Sequence, residues 1–410
     1  MIVHAFYDED PRVRRQAESL VARGRPVDVF ALRRRGDEPE GIVAGVRVHR
    51  LGVERHQGAG IRVYLAEYLA FFFKSAWAVT RAQRRRHYAL LEVHSPPDFL
   101  VLAGLWLRLT GVPVLLDCHE VVPELFRARF PGLGNRLMRR ILAAEERLSL
   151  AFAHAALTVS GALRERLIEL GVPPRKLTVV PNAPALGRFD PADHRPRAFM
   201  ADGRLRLVYA GALTPNYELG VALAAVARIV ARRPELETVF DIHGRGDTEP
   251  ELRAAAATLG LGEHVRFHGR TSIEAVPAVL AAADIGLAVT RRNEHTELAI
   301  PTKIFEYAAM GLPVAATRLP LAEAAFPPGT VAWYETGDAD GLADAVLRLV
   351  DDPAAREAAA AANLAHVRAG AWEVVAERYV ALVEGLIADG LSSTRAGDGE
   401  RAPRPGPEEA

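Results

Sequence analysis

A lysine and a glutamate stand one helical turn apart in the stretch IPTKIFEYAAMGLPVAAT, residues 300–317. Pro301 suits the first position of a helix, because its missing N–H would have no partner there. Thr302 and Lys303 then offer free backbone N–H groups at the positive end of the helix, where anions bind, and Lys303 adds a formal charge. Glu306 can accept hydrogen bonds from two hydroxyl groups. Anion donors beside a diol acceptor predict a site for a nucleoside diphosphate; the alternative is a solvated Lys and Glu at an ordinary helix start.

Further polar residues follow apolar runs that predict strands. His119 and Glu120 come directly after the run 112–118. His94 is the last residue of the run ALLEVH, and Ser95 follows it. Ligands of open parallel sheets bind outside the carboxyl ends of the strands, so all four residues are expected at a cleft. An imidazole there could hydrogen-bond a hydroxyl group. The alternative for His119 is a histidine that merely caps a strand end, and the alternative for His94 and Ser95 is a purely structural role.

Short apolar runs alternate with amphipathic stretches along most of the chain, which predicts the elements that position these residues. This alternation is typical of parallel strands joined by helical crossovers, hence of doubly wound α/β domains. The pattern predicts one such domain over 1–185, a linker over 182–203 and a second domain over 203–370. The first strand is predicted over MIVHAFY, residues 1–7, followed by a helix that Asp10 caps.

The end of the chain has a different character. An amphipathic helix is predicted over 371–389, where it would pack back on the first domain. The last twenty residues, 391–410, are rich in Pro, Gly and charge. They cannot bury enough apolar area to order themselves, which predicts a disordered tail.

Composition limits the classes of function. The 410 residues include 51 basic and 51 acidic side chains, so no nucleic-acid partner is expected. The one cysteine, Cys118, excludes an internal disulfide and favours a reducing compartment. The start, MIVHAFYDEDPR, has too short an apolar run for a signal peptide. These features predict a cytoplasmic protein.

The stretch VYLAEYLAFFFKSAWAV, residues 63–79, is the most lipid-like part of the chain. It predicts a helix, but Glu67 and Lys74 interrupt it and it is shorter than the ~20 apolar residues of a spanning helix. One reading is packing inside the first domain. The other is a peripheral contact with the inner face of the cell membrane, helped by the basic run RAQRRR, residues 81–86.

The stretch 300–317 resembles the signature of the family-4 glycosyltransferases, a retaining group with the GT-B fold of two Rossmann-like domains facing across a cleft. Other pieces are similar in the same order over residues 1–390, among them DPRVRRQAESLVARG, LLDCHEVVPEL, LTVVPNAP, FDIHGRGD and AWEVVAERY. The resemblance implies that Glu306 binds the ribose of a nucleotide-sugar donor and that His119 contacts the transferred sugar. His94 and Ser95, which end another strand of the same domain, are the candidates for the acceptor side.

The chain departs from the family pattern at three places. In the Glu-x7-Glu pattern the first acid would stand at Leu298, so its neighbour Glu297 is the candidate for a donor-sugar contact. After Gly211 of the donor site, the family's phosphate-binding Arg and Lys are absent, and Arg245 and Lys303 are the nearest replacements. For Arg245, the alternative is a surface arginine in a turn.

The third departure is the loop YDEDP after the first strand, where many members have paired glycines. Its three acids could suggest a metal site, but a helix cap explains Asp10, so neither a metal nor another cofactor is expected. The resemblance implies transfer of a sugar to a hydroxyl of a glycan, a lipid-linked molecule or a small molecule. A sugar-nucleotide epimerase of the same fold and a catalytically silent sugar-nucleotide-binding subunit are the alternatives.

Overall fold

Two doubly wound α/β domains make up the chain, as predicted from the alternation of its elements. The computed structural model describes residues 1–56, 60–129, 136–194 and 197–399. Each domain has one central sheet with helices on both faces.

The first domain has an eight-stranded sheet in the order β3-β4-β2-β1-β5-β6-β7-β8. Its neighbouring strands pair in parallel, except β3 and β4, which pair antiparallel. The strands are Ile2–Val3 (β1), Asp28–Leu32 (β2), Glu40–Val43 (β3), Val46–Leu51 (β4), Leu91–His94 (β5), Val114–Cys118 (β6), Ala155–Thr158 (β7) and Leu177–Val179 (β8). The helices are Pro11–Ala22 (α1), Ile61–Arg86 (α2), Leu105–Leu109 (α3), Val122–Arg129 (α4), Arg136–Phe152 (α5) and Gly161–Glu169 (α6).

The second domain has a six-stranded sheet, parallel throughout, in the order β11-β10-β9-β12-β13-β14. Its strands are Arg204–Ala210 (β9), Glu237–His243 (β10), Val265–Gly269 (β11), Ile285–Ala288 (β12), Val314–Thr317 (β13) and Ala332–Tyr334 (β14). Its helices are Leu219–Arg232 (α7), Glu249–Thr258 (α8), Val276–Ala281 (α9), Thr302–Ala309 (α10), Pro320–Ala325 (α11), Ala339–Asp351 (α12) and Pro353–Ala369 (α13). This strand order reverses direction beside β9, so the crevice for a ligand lies at the carboxyl ends of the central strands.

The last helix, Trp372–Gly399 (α14), leaves the second domain and packs on the first. Trp372, Tyr379 and Val383 are buried in the core that α1 and the first sheet also form. The Tyr379 hydroxyl donates a 2.6 Å hydrogen bond to Glu92 on β5, and the Trp372 indole donates one of 2.8 Å to Ser19 on α1.

Three local predictions differ from the structure. The first strand spans only Ile2–Val3: residues 4–6 leave the strand, and a 3-10 turn follows at Tyr7–Glu9. The pair β3 and β4 was not predicted, since short strands of mixed polarity resemble a loop in sequence. The predicted disordered tail is wrong for residues 391–399, which continue α14: adding a residue to an existing helix costs far less than nucleating one. Residues 400–410 lie outside the described part.

Helix α2 contains the lipid-like stretch and the whole basic run. Its inner face is packed in the core through Phe71 and Val79, while Phe73 and Trp77 are 66 and 63 % exposed. Within the described residues, no helix is both long and apolar enough to cross a membrane. The helix thus belongs to the domain and also presents apolar side chains outwards.

Candidate functional site

The stretch 300–317 folds as predicted into a helix at the sheet's carboxyl edge, with one shift. Pro301 precedes α10 as its N-cap instead of being its first residue, so α10 begins at Thr302. The first N–H groups of a helix have no acceptor within the helix, so Thr302 and Lys303 present donors at this edge.

Lys303 is a buried cation without an acidic partner in the described part of the chain. Its side chain is 8 % exposed, and Nζ lies 4.1 Å from the ring centre of Tyr217 and 5.2 Å from that of Tyr209. Aromatic faces attract an ammonium but do not neutralise its charge. The site is therefore positive and shielded from water, which suits an anion.

Gly211 allows this approach, because its missing side chain leaves room for Lys303. A Cβ at Gly211 would lie 2.3 Å from Cε and 2.6 Å from Nζ of Lys303. A Cβ at Gly244, after β10, would lie only 1.7 Å from the Gly211 carbonyl oxygen. The two loops are also joined by a 2.8 Å hydrogen bond from Gly211 N–H to the His243 carbonyl. The loops after β9 and β10 thus form one tight backbone layer beside Lys303.

Arg245 follows Gly244 in this layer. Its backbone carbonyl accepts a 3.0 Å hydrogen bond from Leu213, which fixes the loop, while its side chain is exposed. None of the ion pairs between described residues includes Arg245. Its exposed side chain is therefore a cation without an ion pair in the described chain, in the loop that adjoins Gly211.

Glu306 lies one turn after Lys303 and is partly buried. Burial raises the pKa of Glu306, although the charges of Lys303, Arg15 and Arg188 oppose this shift. Arg15 and Arg188 belong to the first domain and its linker, so Glu306 faces across the cleft. Its carboxylate accepts no hydrogen bond from the described residues and can receive hydroxyl donors.

Glu297 is not part of this group. Its carboxylate accepts a 2.9 Å hydrogen bond from Arg292 in its own loop, and the side chain is 45 % exposed. The neighbouring Leu298 packs against the core of the first domain. The donor-sugar contact predicted for Glu297 would require its side chain to leave Arg292.

On the opposite side of the cleft, two histidines and an aspartate meet at the carboxyl ends of β5 and β6. His94 and Asp117 are directly paired across the two strands, and His119 follows two residues later. The Asp117 Oδ2 atom lies 3.1 Å from Nε2 of His119, 3.3 Å from Nδ1 of His94 and 2.7 Å from the donating amide of Gln16. His94, Asp117 and His119 are each at least 93 % buried.

The hydrogen bonds of this cluster determine where the protons lie. Burial alone would raise the pKa of Asp117, but the contacts with His119 and His94 outweigh burial and hold this pKa well below its usual range, so Asp117 is a carboxylate that only accepts. Nε2 of His119 and Nδ1 of His94 lie 3.2 Å apart and form a hydrogen bond between the two rings, so one nitrogen donates and the other accepts. We place the proton on Nε2 of His119, where it faces both Nδ1 of His94 and the Asp117 carboxylate.

One nitrogen of His119 is left for a ligand. Burial lowers the pKa of His119, which keeps the ring neutral. With the proton on Nε2, Nδ1 is a bare acceptor; it is buried and has no partner among the described residues. His119 can thus accept a hydrogen bond from a hydroxyl group. Ser95, predicted on the acceptor side with His94, accepts a 3.3 Å hydrogen bond from His119 N–H. Ser95 thus contacts the backbone of His119 and His94 contacts its ring, so both residues hold His119 in position.

Glu120 joins the two domains. Its Oε2 atom is 2.7 Å from Nε2 of His295, in the loop before α10, and Oε1 is 3.9 Å from Arg12. Partial burial raises the pKa of Glu120, but the hydrogen bond and charge of His295 outweigh it and keep the pKa below its ordinary value. Two further pairs cross the cleft, Arg14 with Glu274 and Arg270 with Glu9.

Arg12, Gln16 and His295 were not singled out from the sequence. Arg12 and Gln16 lie one turn apart on α1, which Asp10 caps as predicted by accepting a 3.1 Å hydrogen bond from Arg12 N–H. His295 lies in the polar loop TRRNEHTE, where no sequence signal separates it from its neighbours.

A cation could in principle be held by His94, Asp117 and His119, whose ligand atoms lie within 4.8 Å of one another. The donor set fits a hydrogen-bond network better than a metal. Metal-bound histidines normally donate their other N–H to a partner, whereas Nε2 of His94 and Nδ1 of His119 have none among the described residues. The nearby Arg12 charge also opposes a cation.

The two domains match two known protein-family models. Residues 10–183 match a glycosyl transferase 4-like domain, and residues 204–352 match the glycosyl transferases group 1 domain. The chain is 27% identical to a D-inositol 3-phosphate glycosyltransferase of Geodermatophilus obscurus, over 88% of this chain and 81% of that protein. It is 26% identical to a glycogen synthase of Mycobacterium tuberculosis, over 94% of this chain and 91% of that protein.

Solved structures agree on the fold. A sucrose-phosphate synthase from Thermosynechococcus elongatus superposes with a TM-score of 0.72 at 19% identity, over 95% of this chain and 99% of that one. The Anabaena protein HepE, solved in complex with UDP-glucose, superposes with a TM-score of 0.67 at 15% identity, over 96% and 98% of the chains. The two-domain fold is thus the GT-B fold, as predicted.

Proposed function

We propose that this chain, which belongs to the glycosyltransferases with a 4-like first domain and a group 1 second domain, moves a sugar from a nucleotide-diphosphate donor to a hydroxyl acceptor with retention of configuration. One observation carries the proposal most directly. Lys303 is buried, lacks an acidic partner in the described chain and lies against a glycine backbone at the carboxyl edge of the second sheet. A buried charge needs a counter-charge, and a bound diphosphate supplies one.

The donor would lie with its diphosphate at the start of α10. Lys303 and the N–H groups of Thr302 and Lys303 donate to the phosphate oxygens, and Arg245 approaches from the adjoining loop. Glu306 accepts the ribose hydroxyls one turn further along α10. The backbone N–H groups at the start of α10 and the buried Lys303 are in place before the donor arrives, so little reorganisation is needed when charge builds up on the leaving phosphate.

The transfer then needs no protein nucleophile. The bond from the anomeric carbon to the diphosphate oxygen breaks, the acceptor oxygen bonds to the same face of that carbon, and the acceptor proton passes to a phosphate oxygen. His119 accepts a hydrogen bond from a sugar hydroxyl through Nδ1 and orients the ring. Glu120, paired with His295, holds the two domains around the reacting atoms.

A thermal-shift screen with uridine, guanosine, adenosine and thymidine diphosphate sugars tests donor binding. Binding to the native state raises the midpoint with the logarithm of ligand concentration. Product analysis by NMR follows for the donor that binds, because the anomeric signal reports retention. A donor that is interconverted without an acceptor would indicate an epimerase. Binding without transfer to any acceptor or to water would indicate a silent subunit, and no binding by any donor would refute the proposal.

The outward face of the first domain favours an acceptor at a membrane surface. Leu65, Leu69, Phe73 and Trp77 follow one another at intervals of four residues along α2 and are 41–66 % exposed. Arg81 continues the same row and lies 5.3 Å from the Trp77 ring centre. Apolar side chains beside arginines fit the boundary of an anionic leaflet.

More apolar surface lies on neighbouring α3, where Leu105, Trp106 and Leu109 are 50–71 % exposed. Arg84 and Arg85 at the end of α2 have no ion pair in the described chain, whereas Arg86 pairs with Asp28 at 3.4 Å. Each free arginine near an anionic leaflet contributes about 1 kcal/mol. We therefore propose salt-sensitive, peripheral binding.

Vesicle co-sedimentation tests this contact. Wild type should pellet with phosphatidylglycerol vesicles in low salt, and less in high salt. Replacing Phe73 and Trp77 by Ser should abolish pelleting, whereas Ser at the exposed residues Leu259 and Val374 of other surfaces should not. Equal pelleting by both double variants would contradict this mode of binding.

A further inference from the structure

A cavity of about 200 Å³ lies in the second domain, at the sheet edge opposite to the donor groups. Asp284 and Pro313 in its wall directly precede β12 and β13, whereas Lys303 lies beyond the carboxyl ends of the strands. The two strands are parallel, so their amino ends share one edge. The cavity is therefore separate from the donor site. Its volume equals that of about seven water molecules, which is enough for a small organic molecule.

Arg356 is a buried cation in this wall with unused hydrogen-bond donors. It is 6 % exposed, and its guanidinium carbon lies 3.7 Å from the ring centre of Phe199. Nη1 donates a 2.8 Å hydrogen bond to the Leu349 carbonyl. Nη2 lies 3.6 Å from the carboxylate of Glu357, whose side chain is 76 % exposed, so this ion pair includes no hydrogen bond. Nε and Nη2 of Arg356 thus have no hydrogen-bond acceptor in the described chain.

A second arginine of the wall, Arg197, also keeps one donor unused. Nη1 pairs with Asp202 at 2.9 Å and Nη2 with Asp284 at 3.4 Å, so the charge of Arg197 is balanced. Its Nε atom is buried and has no hydrogen-bond partner among the described residues. The two oxygens of Asp284 accept hydrogen bonds of 2.8 Å each from the N–H groups of Met200 and Arg206. The wall therefore offers free donors from two arginines, while the oxygens of Asp284 are already bound.

These donors and the apolar part of the wall indicate the chemical class of the occupant. Guanidinium N–H groups bind oxygen anions through charge-assisted hydrogen bonds. Of the two arginines, only Arg356 carries a charge that no carboxylate contacts closely, so one negative charge balances the wall better than the two of a phosphate group. Much of the remaining wall is apolar and includes Leu280, Met310 and Leu312 of the core. A carboxylate on a short apolar chain matches both parts.

One helix connects this cavity to the donor groups. Met310 and Gly311, which follow α10, line the cavity, whereas Lys303 lies in its first turn. The eight residues of α10 span about 12 Å. Tyr307, between the two ends, is fully buried, and its hydroxyl accepts a 3.2 Å hydrogen bond from Ala210 N–H at the end of β9. The carboxyl end of α10 thus adjoins the cavity, and its amino end adjoins the donor.

We propose that this cavity binds a small carboxylate with an apolar body and that this ligand weakens donor binding. A negative charge at the carboxyl end of α10, where the helix dipole is already negative, makes the potential along the helix more negative. A diphosphate at the other end is then bound less tightly. The carboxylate site goes beyond the proposed function, and only its coupling to the donor rests on that function.

Titration calorimetry with butyrate tests the site. We expect saturable binding, and the neutral butyramide should bind about tenfold or more weakly because it lacks the charge. Ala360→Leu should abolish butyrate binding, since Ala360 lines the cavity and the larger side chain fills it without removing either arginine. Ala362→Leu is the matched control, because Ala362 is exposed on the same helix, α13, and lies outside the cavity. It should keep the wild-type affinity.

Arg356→Gln is the second variant, because glutamine removes the charge but keeps a side chain beside Phe199. It should weaken butyrate binding about tenfold or more. The melting temperature of each variant without ligand separates a binding defect from a folding defect. Equal binding of butyrate and butyramide, tighter binding of inorganic phosphate than of butyrate, or wild-type butyrate affinity in Ala360→Leu would overturn the proposed site.

Inorganic pyrophosphate, as a probe of the donor site, tests the coupling. Saturating butyrate should weaken pyrophosphate binding about fivefold or more, and saturating pyrophosphate should weaken butyrate binding by the same factor. In Ala360→Leu, pyrophosphate should bind as in wild type and should not respond to butyrate, which excludes competition for one site. Butyrate binding without any effect on pyrophosphate overturns the effector role. Absence of pyrophosphate binding would refute the donor site and the coupling, whereas absence of butyrate binding would refute the cavity site alone.

Discussion

Replacing Lys303 by Met tests the central element of the donor site. Methionine keeps an unbranched chain of similar length against Tyr209 and Tyr217 but removes the ammonium group. The ammonium forms no ion pair in the described chain, so its removal breaks no salt bridge, although Glu306 loses a charge that favours its ionised form. We therefore expect the free protein to keep its melting temperature, since removing a buried charge offsets this loss.

Donor affinity should change in the opposite direction. A hydrogen bond that involves a charged group contributes about 1.5–3 kcal/mol, which corresponds to a tenfold to hundredfold weaker dissociation constant. The upper half of this range applies here, because the Lys303 side chain is 8 % exposed and water screens its charge little. Arg245, which is exposed, should contribute less, and Arg245→Met should weaken the donor by under tenfold.

Calorimetric titration of a nucleotide-diphosphate sugar measures both losses, and the corresponding nucleoside gives the control. The nucleoside carries no phosphate, so its affinity should be the same in wild type and in Lys303→Met. The melting temperature without ligand separates a binding defect from a folding defect. Wild-type donor affinity in Lys303→Met, or an equal loss for nucleoside and donor, would refute the assignment of Lys303 to the diphosphate.

Three further predictions concern the other groups of the cleft. Glu306→Gln should weaken a ribose-containing donor more than inorganic pyrophosphate. It should also remove a pH effect. Because burial raises the pKa of Glu306 above 4.5, wild-type donor affinity should fall as the pH falls through that raised value, whereas the affinity of the Gln variant should not change. Asp117→Asn should lower kcat more than donor affinity, because an amide can hold the His119 ring without fixing the proton on Nε2; a uniform loss in both would indicate a structural role only. Burial lowers the pKa of His119 below 6.5, so the unfolded chain binds more protons and the free energy of unfolding should decrease as the pH falls below 6.5. Chemical denaturation of His119→Gln should show a smaller decrease than wild type. The same pH dependence in both proteins would contradict a neutral, buried His119.

The fold was predictable because each level of the sequence points to the same structure. Alternating apolar runs and amphipathic stretches require parallel strands with helical crossovers, and Asp10 with Pro11 marks the start of α1 within one residue. The pattern failed where local and tertiary preferences differ. The pair β3 and β4 lies at the edge of the first sheet, and part of it faces solvent, so it lacks a continuous apolar run.

The donor side of the site was predictable for a related reason. Thr302, Lys303 and Glu306 lie within the first turns of α10, so their mutual placement depends on local helix geometry alone. Gly211 is required because a side chain at this position would clash with Lys303. The opposite side of the cleft depends on tertiary packing. His295 meets Glu120 only because two domains close on each other, and their separation of 175 positions leaves no local trace of the contact. Gln16 reaches Asp117 from a helix across 101 positions for the same reason.

This difference has a mechanistic consequence. The groups proposed to bind the diphosphate and ribose all belong to the second domain, on α10 and the loop after β10, so the donor can bind while the cleft is open. Completion of the site by His119, Glu120 and Arg12 requires closure of the cleft. The contact between Glu120 and His295 links this closure to the loop before α10. Removing this contact with His295→Ala should therefore leave the donor dissociation constant nearly unchanged and lower the rate of transfer. Calorimetry with single-turnover kinetics checks the split, and a loss confined to donor affinity would show that His295 acts on the donor loop instead of on closure.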